Sequence, residues 1–191
     1  AGEIVDGEAP AGSAGGDTIV GLLHSALSER DLKALVLRVD SPGGSAFAAE
    51  QIRRALLEVK AANIPVVVSM GNVAASGGYW VAMTGDKVIA EPSTITGSIG
   101  VFSILPTFER TAGKIGVTSD GVTTTPLSGQ PDILRGTNAA GDAMMQAGVE
   151  DIYRRFTEMV AEKRKLPLAK VQEIAQGRVW AGGAARQLAD A

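Results

Sequence analysis

Val66-Val-Val-Ser-Met-Gly-Asn-Val-Ala-Ala-Ser-Gly-Gly-Tyr-Trp80 is the stretch around which the fold of this chain is predicted. Its apolar, β-branched start predicts a buried strand over residues 66–70, which we expect to break at Gly71. A helix is predicted over residues 79–83. A strand that turns sharply into a helix exposes a serine at the turn, at the positive end of the helix. The stretch therefore predicts Ser76 as a nucleophile, with a plain Ser-Gly turn as the alternative.

Strands and helices alternate on both sides of this stretch. Apolar runs at residues 34–39 and 87–90 predict two further strands, and helical spacing predicts helices from Asp17 and over 46–62. This alternation is typical of an α/β fold with a largely parallel sheet. The other predicted elements are loops at 6–16 and 91–100, helices at 108–115, 138–165 and 168–176, and strands at 117–125 and 179–180.

Composition narrows the class of protein. The chain has 191 residues, of which 45% are hydrophobic and 20% are charged, so we expect one globular α/β domain over residues 1–191. A net charge of −3 gives no basic footprint for nucleic acid. The chain has no cysteine and a single histidine, which argues against disulfides and against a metal site. It also lacks a glycine-rich phosphate loop, so the sequence indicates no cofactor. We interpret both ends of the sequence as those of a fragment or an excised domain.

A second glycine-rich turn precedes the serine turn. Asp40-Ser-Pro-Gly-Gly-Ser45 follows the strand at 34–39, and neighbouring parallel strands would bring both turns to the same edge of the sheet. The backbone N–H groups of Gly43 and Gly44 could then face a carbonyl attacked by Ser76, as an oxyanion hole does. A simple tight turn is the alternative.

The base that would activate the serine is harder to locate. His24 lies on a predicted helix well before the site, where a surface or packing role is expected. A neutral lysine is the other route to an activated serine. Each lysine of the chain is predicted to be a solvated surface group; they are Lys33, Lys60, Lys87, Lys114, Lys163, Lys165 and Lys170.

The combination of motifs resembles the signal peptide peptidase A family of serine–lysine proteases, whose fold is related to Clp protease and the crotonases. The resemblance covers nearly the whole chain and is greatest to the carboxyl-terminal domain of the long, two-domain bacterial form. It is carried, in order, by Asp40-Ser-Pro-Gly-Gly-Ser45, Ala74-Ala-Ser-Gly-Gly-Tyr79, Pro92-Ser-Thr-Ile-Thr-Gly-Ser-Ile-Gly100 and Asp120-Gly-Val-Thr-Thr-Thr-Pro126.

The resemblance implies a role for each matching residue. Ser76 matches the nucleophile, Gly43 and Gly44 match the oxyanion hole, and Ser98 matches a serine that orients the catalytic lysine. In single-domain members this lysine lies downstream in the same chain, whereas residues 117–136 here contain no lysine. The resemblance to the long form implies that the amino-terminal domain of the same parent chain supplies it. The isolated chain is then expected to be nearly inactive.

The resemblance also implies a biological setting. It implies peptide substrates, namely remnant signal peptides, and a homotetramer at the periplasmic side of the cytoplasmic membrane. The parent would be attached to the membrane through another segment, while this chain itself would be soluble. Two other interpretations stay open: a crotonase-like acyl-CoA enzyme, which would not need Ser76, and a non-catalytic assembly domain.

Overall fold

A computed structural model describes residues 1–190 and shows an α/β fold in which strands and helices alternate. The elements in chain order are β1 (Glu3–Val5), β2 (Ser13–Gly15), α1 (Gly16–Leu27), β3 (Leu35–Ser41), α2 (Ala46–Ala61), β4 (Val66–Ala75), α3 (Gly77–Ala82), β5 (Lys87–Ile89), β6 (Ile95–Gly97), α4 (Glu109–Lys114), α5 (Ala139–Arg164), α6 (Leu168–Ile174), β7 (Val179–Ala181) and α7 (Gly182–Asp190).

The larger sheet is built around β4. This strand pairs in parallel with β3 on one side, and on the other with β5 near its start and with β6 near its end. Among residues 1–190, only β7, which pairs with β6, runs antiparallel in this sheet. The short strands β1 and β2 form a separate parallel pair. The predicted α/β class with a largely parallel sheet is confirmed.

The core lies between β4 and the helices that follow the strands. Val66, Val68 and Met70 alternate with less buried residues along β4 and are almost completely buried. Helix α2 buries a matching stripe that includes Leu56 and Val59. Each such side chain contributes roughly 1.5–3 kcal/mol by leaving water. This packing fixes the start of β4, whose far end leads into the turn before α3.

Some predicted boundaries were wrong. Strand β4 does not break at Gly71 but continues to Ala75 through a register irregularity opposite β3. The loops predicted at 6–16 and 91–100 contain β2 and β6. These strands have three residues each, too few to show a period. No strand forms over residues 117–125, where Val122 is 98% exposed and has no sheet to pack on. Helix α7 was not predicted.

The chain divides into two compact units. One comprises Ala1–Gly100 together with the chain from Arg155 onward and contains both sheets; the other is Val101–Arg154. A single domain over residues 1–191 stays a prediction, and its last residue, Ala191, lies outside the described residues. Within residues 1–190, every helix is too short or too polar to cross a lipid bilayer.

Candidate active site

Ser76 occupies the turn between β4 and α3 in an unusual backbone conformation. Its φ of 51° and ψ of −122° are rarely adopted by residues other than glycine and are costly unless the surroundings impose them. The surroundings do so here, because the Ser76 N–H donates to the Gly97 carbonyl (2.9 Å) and its carbonyl accepts from the Trp80 N–H (2.9 Å). The side chain makes no capping hydrogen bond. The Ser76 hydroxyl is thus not used as the cap of helix α3.

Gly43 lies directly against this serine. A Cβ built on Gly43 would stand 2.6 Å from the Ser76 Cβ and 2.7 Å from the Gly77 nitrogen, and its φ of 107° also favours glycine. The Gly43 N–H donates to the buried Ser41 Oγ (3.1 Å). For the Gly44 N–H, no acceptor is found within residues 1–190. The Gly44 N–H is therefore a free backbone donor in this turn.

Strand β1 braces the Gly43–Gly44 turn from outside. The Ile4 N–H donates to the Gly43 carbonyl (2.7 Å), and the Ile4 carbonyl accepts from the Ser45 N–H (2.8 Å). Ser45 Oγ also donates to the Asp6 carboxylate. The same Ser45 caps α2, because its Oγ accepts from the Ala48 N–H (3.2 Å). The β1 segment thus fixes the turn, a role that the sequence did not indicate.

Ser98 lies beside Ser76 on the neighbouring strand path. Ala75 at the end of β4 pairs with Gly97 at the end of β6, so the two serines follow adjacent residues of parallel strands. Ser98 also has a positive φ, 50°, and its N–H donates to the Arg178 carbonyl (2.7 Å). The structure therefore brings Ser76, Gly43, Gly44 and Ser98 to one edge of the sheet.

Gly77 is a candidate that the sequence analysis did not name. It is the first residue of α3, where N–H groups have no partner within the helix. Its nitrogen would stand 2.7 Å from a Cβ built on Gly43, and the Gly44 nitrogen is 3.4 Å from where a Gly77 Cβ would stand. The position of Gly77 directly after Ser76 could have indicated it, because the residue after a nucleophile on such a turn commonly donates its N–H to the oxyanion.

His24 and Lys60 have partners away from Ser76. His24 Nε2 contacts Glu58 on the exposed surface of α1 and α2 (3.0 Å), as expected for a surface role. Lys60 pairs with Asp86 (2.6 Å) at the other end of the sheet. Within residues 1–190, no hydrogen bond joins Ser76 to a lysine or to the histidine. In the described part of the chain, the turn therefore has a hydroxyl and N–H donors, and no base is hydrogen-bonded to that hydroxyl.

A partly buried carboxylate links the two helices that begin at the site. Glu50 of α2 accepts from the Trp80 indole N–H of α3 (3.0 Å) and from the guanidinium groups of Arg53 and Arg54. Burial alone would raise the pKa of Glu50, but these hydrogen bonds and the Arg53 charge outweigh it and lower the pKa to about 2. Glu50 is therefore ionised at neutral pH and ties α2 to α3.

Comparison with known proteins places this arrangement in a family. Residues 58–190 match the model described as Peptidase family S49. The chain is 47% identical over 186 residues to Protease 4 of Haemophilus influenzae, covering 97% of this chain and 30% of that protein. It is 46% identical over 181 residues to Protease 4 of Salmonella typhi, covering 95% and 29%.

A more distant relative has a more specific name. A protein of Enterococcus faecium named as a putative signal peptide peptidase is 31% identical over 157 residues, which cover 82% of this chain and 46% of that protein. The chain thus spans about a third of the length of the two Protease 4 relatives and about half of this one.

Proposed function

The chain belongs to peptidase family S49, and we propose that it carries the nucleophile of a serine endopeptidase, with Ser76 as the attacking residue. The backbone of Ser76 carries this proposal: φ 51° and ψ −122° at a strand-to-helix turn that abuts Gly43. Such a conformation is strained for serine and persists only where its surroundings impose it. Its use is to hold the hydroxyl clear of the turn.

The proposed reaction proceeds in two steps. Ser76 Oγ attacks the carbonyl carbon of a peptide bond and gives its proton to a base, which then protonates the departing amine. The resulting acyl-enzyme is hydrolysed when the same base takes a proton from water and returns it to Ser76 Oγ. Negative charge appears on the carbonyl oxygen in both steps, so donors must face that oxygen.

We assign the donor positions to the backbone of the two turns. The Gly44 N–H has no acceptor within residues 1–190, and the Gly77 N–H begins α3. Gly43, also predicted as a donor, has its N–H directed at Ser41 Oγ (3.1 Å), so its donation requires that bond to open. The primary contribution of Gly43 is close approach, because any side chain there would collide with Ser76.

We propose that the base is a lysine supplied by the amino-terminal domain of the same parent chain. The lysines whose ion pairs the structure shows point elsewhere, as Lys60 does toward Asp86 and Lys170 toward Glu173. Ser98, beside Ser76, is the proposed orienting group for the incoming lysine, which would complete a serine–lysine pair. The greater length of the relatives leaves room for a base outside this segment.

The substrates proposed are peptides, in particular cleaved signal peptides, in keeping with the name of the Enterococcus faecium relative. We further propose that the parent is a homotetramer associated with the cytoplasmic membrane, acting on its periplasmic side. These proposals concern the whole parent protein, and they are separate from the assignment of Ser76.

Activity of the parent protein on signal-derived peptides and on acyl-CoA thioesters tests the proposal. Ser76→Ala should abolish peptide cleavage, whereas Ser25→Ala should not, because the Ser25 hydroxyl bonds to the Gly21 carbonyl on the surface of α1. Thioester turnover that survives Ser76→Ala would instead support a crotonase-like enzyme. Peptide cleavage that survives Ser76→Ala would contradict the proposal, and no activity of the intact parent on either substrate would support an assembly domain.

A further inference from the structure

Strand β4 is irregular just before the candidate nucleophile. Val39 pairs with Met70 and Ser41 pairs with Ala74, so a single residue of β3, Asp40, faces residues 71–73 of β4. Extra residues in one strand bend it and change the direction of the chain beyond them. Because this bulge ends three residues before Ser76, its shape determines where the end of β4 places that serine.

The Asp40 side chain fills the bulge. Its Oδ1 accepts a hydrogen bond from the Val73 N–H (3.0 Å). Gly71 lies against the same carboxylate, since a Cβ on Gly71 would stand 2.7 Å from Asp40 Cγ. The Asp40 carbonyl accepts from the Gly2 N–H (2.8 Å), which connects the residue to the segment leading into β1. Asp40 therefore satisfies a backbone donor that the strand ladder leaves unpaired.

The bulge is held from its other side by two buried threonines. Thr94 Oγ1 donates to the Gly71 carbonyl (2.9 Å), and Thr96 Oγ1 donates to the Ala74 carbonyl (2.8 Å). Both threonines are at most 4% exposed. Hydrogen bonds in such a dry setting are costly to break, because the freed carbonyl finds no water. The irregularity is thus fixed at both edges of β4.

We infer that Asp40 is a positioning residue for Ser76, an inference that rests on the proposed peptidase function. Through the Val73 N–H, Asp40 holds the strand that ends at Ser76. Asp40 also precedes Gly43 by three residues in the sequence, and Gly43 lies against Ser76. One carboxylate therefore sets the distance between the hydroxyl and the glycine turn.

Kinetics of the intact parent protein test this inference. Asp40→Ala should lower kcat for peptide cleavage about 10- to 100-fold and leave KM within about 2-fold, because misplacement of the nucleophile affects the chemical step. Asp40→Asn keeps an Oδ1 acceptor and should retain kcat within about 3-fold.

Asp86→Ala is the matched control. Asp86 Oδ2 accepts from the Val66 N–H (2.8 Å), so the same type of bond is lost at the opposite end of the same strand, together with the ion pair to Lys60. This variant should lower thermal stability but preserve kcat. Wild-type kcat in Asp40→Ala, equal kcat losses in Asp40→Ala and Asp86→Ala, or an Asp40→Asn variant as impaired as Asp40→Ala would each overturn the inference.

A second variant serves if Asp40→Ala does not fold. Thr94→Val preserves the shape of the side chain but removes its hydrogen bond to the Gly71 carbonyl. This variant should therefore also lower kcat at unchanged KM. Unchanged kcat in a folded Thr94→Val protein would overturn the inference. Retained peptide cleavage in Ser76→Ala would instead contradict the proposed function, which separates the two failures.

Discussion

Gly43 and Ser76 are in such close contact that a Cβ on Gly43 would stand 2.6 Å from the Cβ of Ser76. Atoms of this kind do not approach so closely, so one of the two turns would have to move. Gly43 also has a φ of 107°, which side chains rarely tolerate. Two independent constraints thus require glycine at the position that faces the candidate nucleophile.

Gly43→Ala should therefore lower kcat/KM by about 100-fold or more, because the turn and the serine must separate. Gly12→Ala is the control: Gly12 has a similar φ of 101°, but an added Cβ would meet nothing within 4 Å. Both variants should lose stability through backbone strain, and only Gly43→Ala should lose activity. Peptidase assays with melting temperatures would check this, and equal activity in the two variants would refute the steric argument.

Ser98→Gly separates the role of a hydroxyl from that of backbone strain. Ser98 has a φ of 50°, which glycine adopts readily and alanine does not. If the hydroxyl orients the base, Ser98→Gly and Ser98→Ala should both lower kcat by about 10-fold or more in the parent protein. Steady-state kinetics of both variants would show it. Full activity in Ser98→Gly would exclude an orienting hydroxyl.

Glu50 should make stability depend on acid pH. Its pKa in the folded protein is lowered to about 2, from an ordinary value of 4.5. A depressed pKa stabilises the fold above the unfolded value, and this stabilisation is lost as the pH falls from about 4.5 through about 2. Glu50→Gln should therefore cost about 2–3 kcal/mol at neutral pH and progressively less below about pH 4.5.

Urea unfolding of wild type and Glu50→Gln across this pH range would measure the difference. Glu58→Gln provides the comparison, since Glu58 lies on the same helix but its side chain is 60% exposed where it pairs with His24. That exposed pair should contribute less than about 1 kcal/mol. A Glu50→Gln effect that stays constant with pH would contradict the assignment of a strongly ionised Glu50.

The sequence predicted a candidate site from local motifs but missed part of the architecture around it. Ser76 and the Gly43-Gly44 pair stand in short local motifs that predicted a nucleophilic turn, with a plain turn as the alternative, and the family resemblance favoured the nucleophile. The continuation of β4 past Gly71 depends on a hydrogen bond from Val73 to Asp40, 33 positions earlier in the chain. No local pattern reports such a contact. For the same reason the pairing of β6 with β4 beside Ser76 was missed.

A β-branched pattern also predicted a strand that does not form. Residues 117–125 have the composition of a strand, but a strand forms only where a partner offers hydrogen bonds and a surface to pack on. Val122 is almost fully exposed instead. Gly77 shows the opposite case, because once Ser76 is taken as a nucleophile the sequence alone predicts the Gly77 N–H as an oxyanion donor.

We propose that Ser76 is a nucleophile whose base comes from outside this segment. Labelling of Ser76 by a fluorophosphonate probe, with and without the amino-terminal domain of the parent, would decide between an external and an internal base. We expect slow labelling of the chain alone, a large acceleration when that domain is added, and none in Ser76→Ala. Rapid labelling and peptide cleavage by the chain alone, both abolished by Ser76→Ala, would contradict the claim.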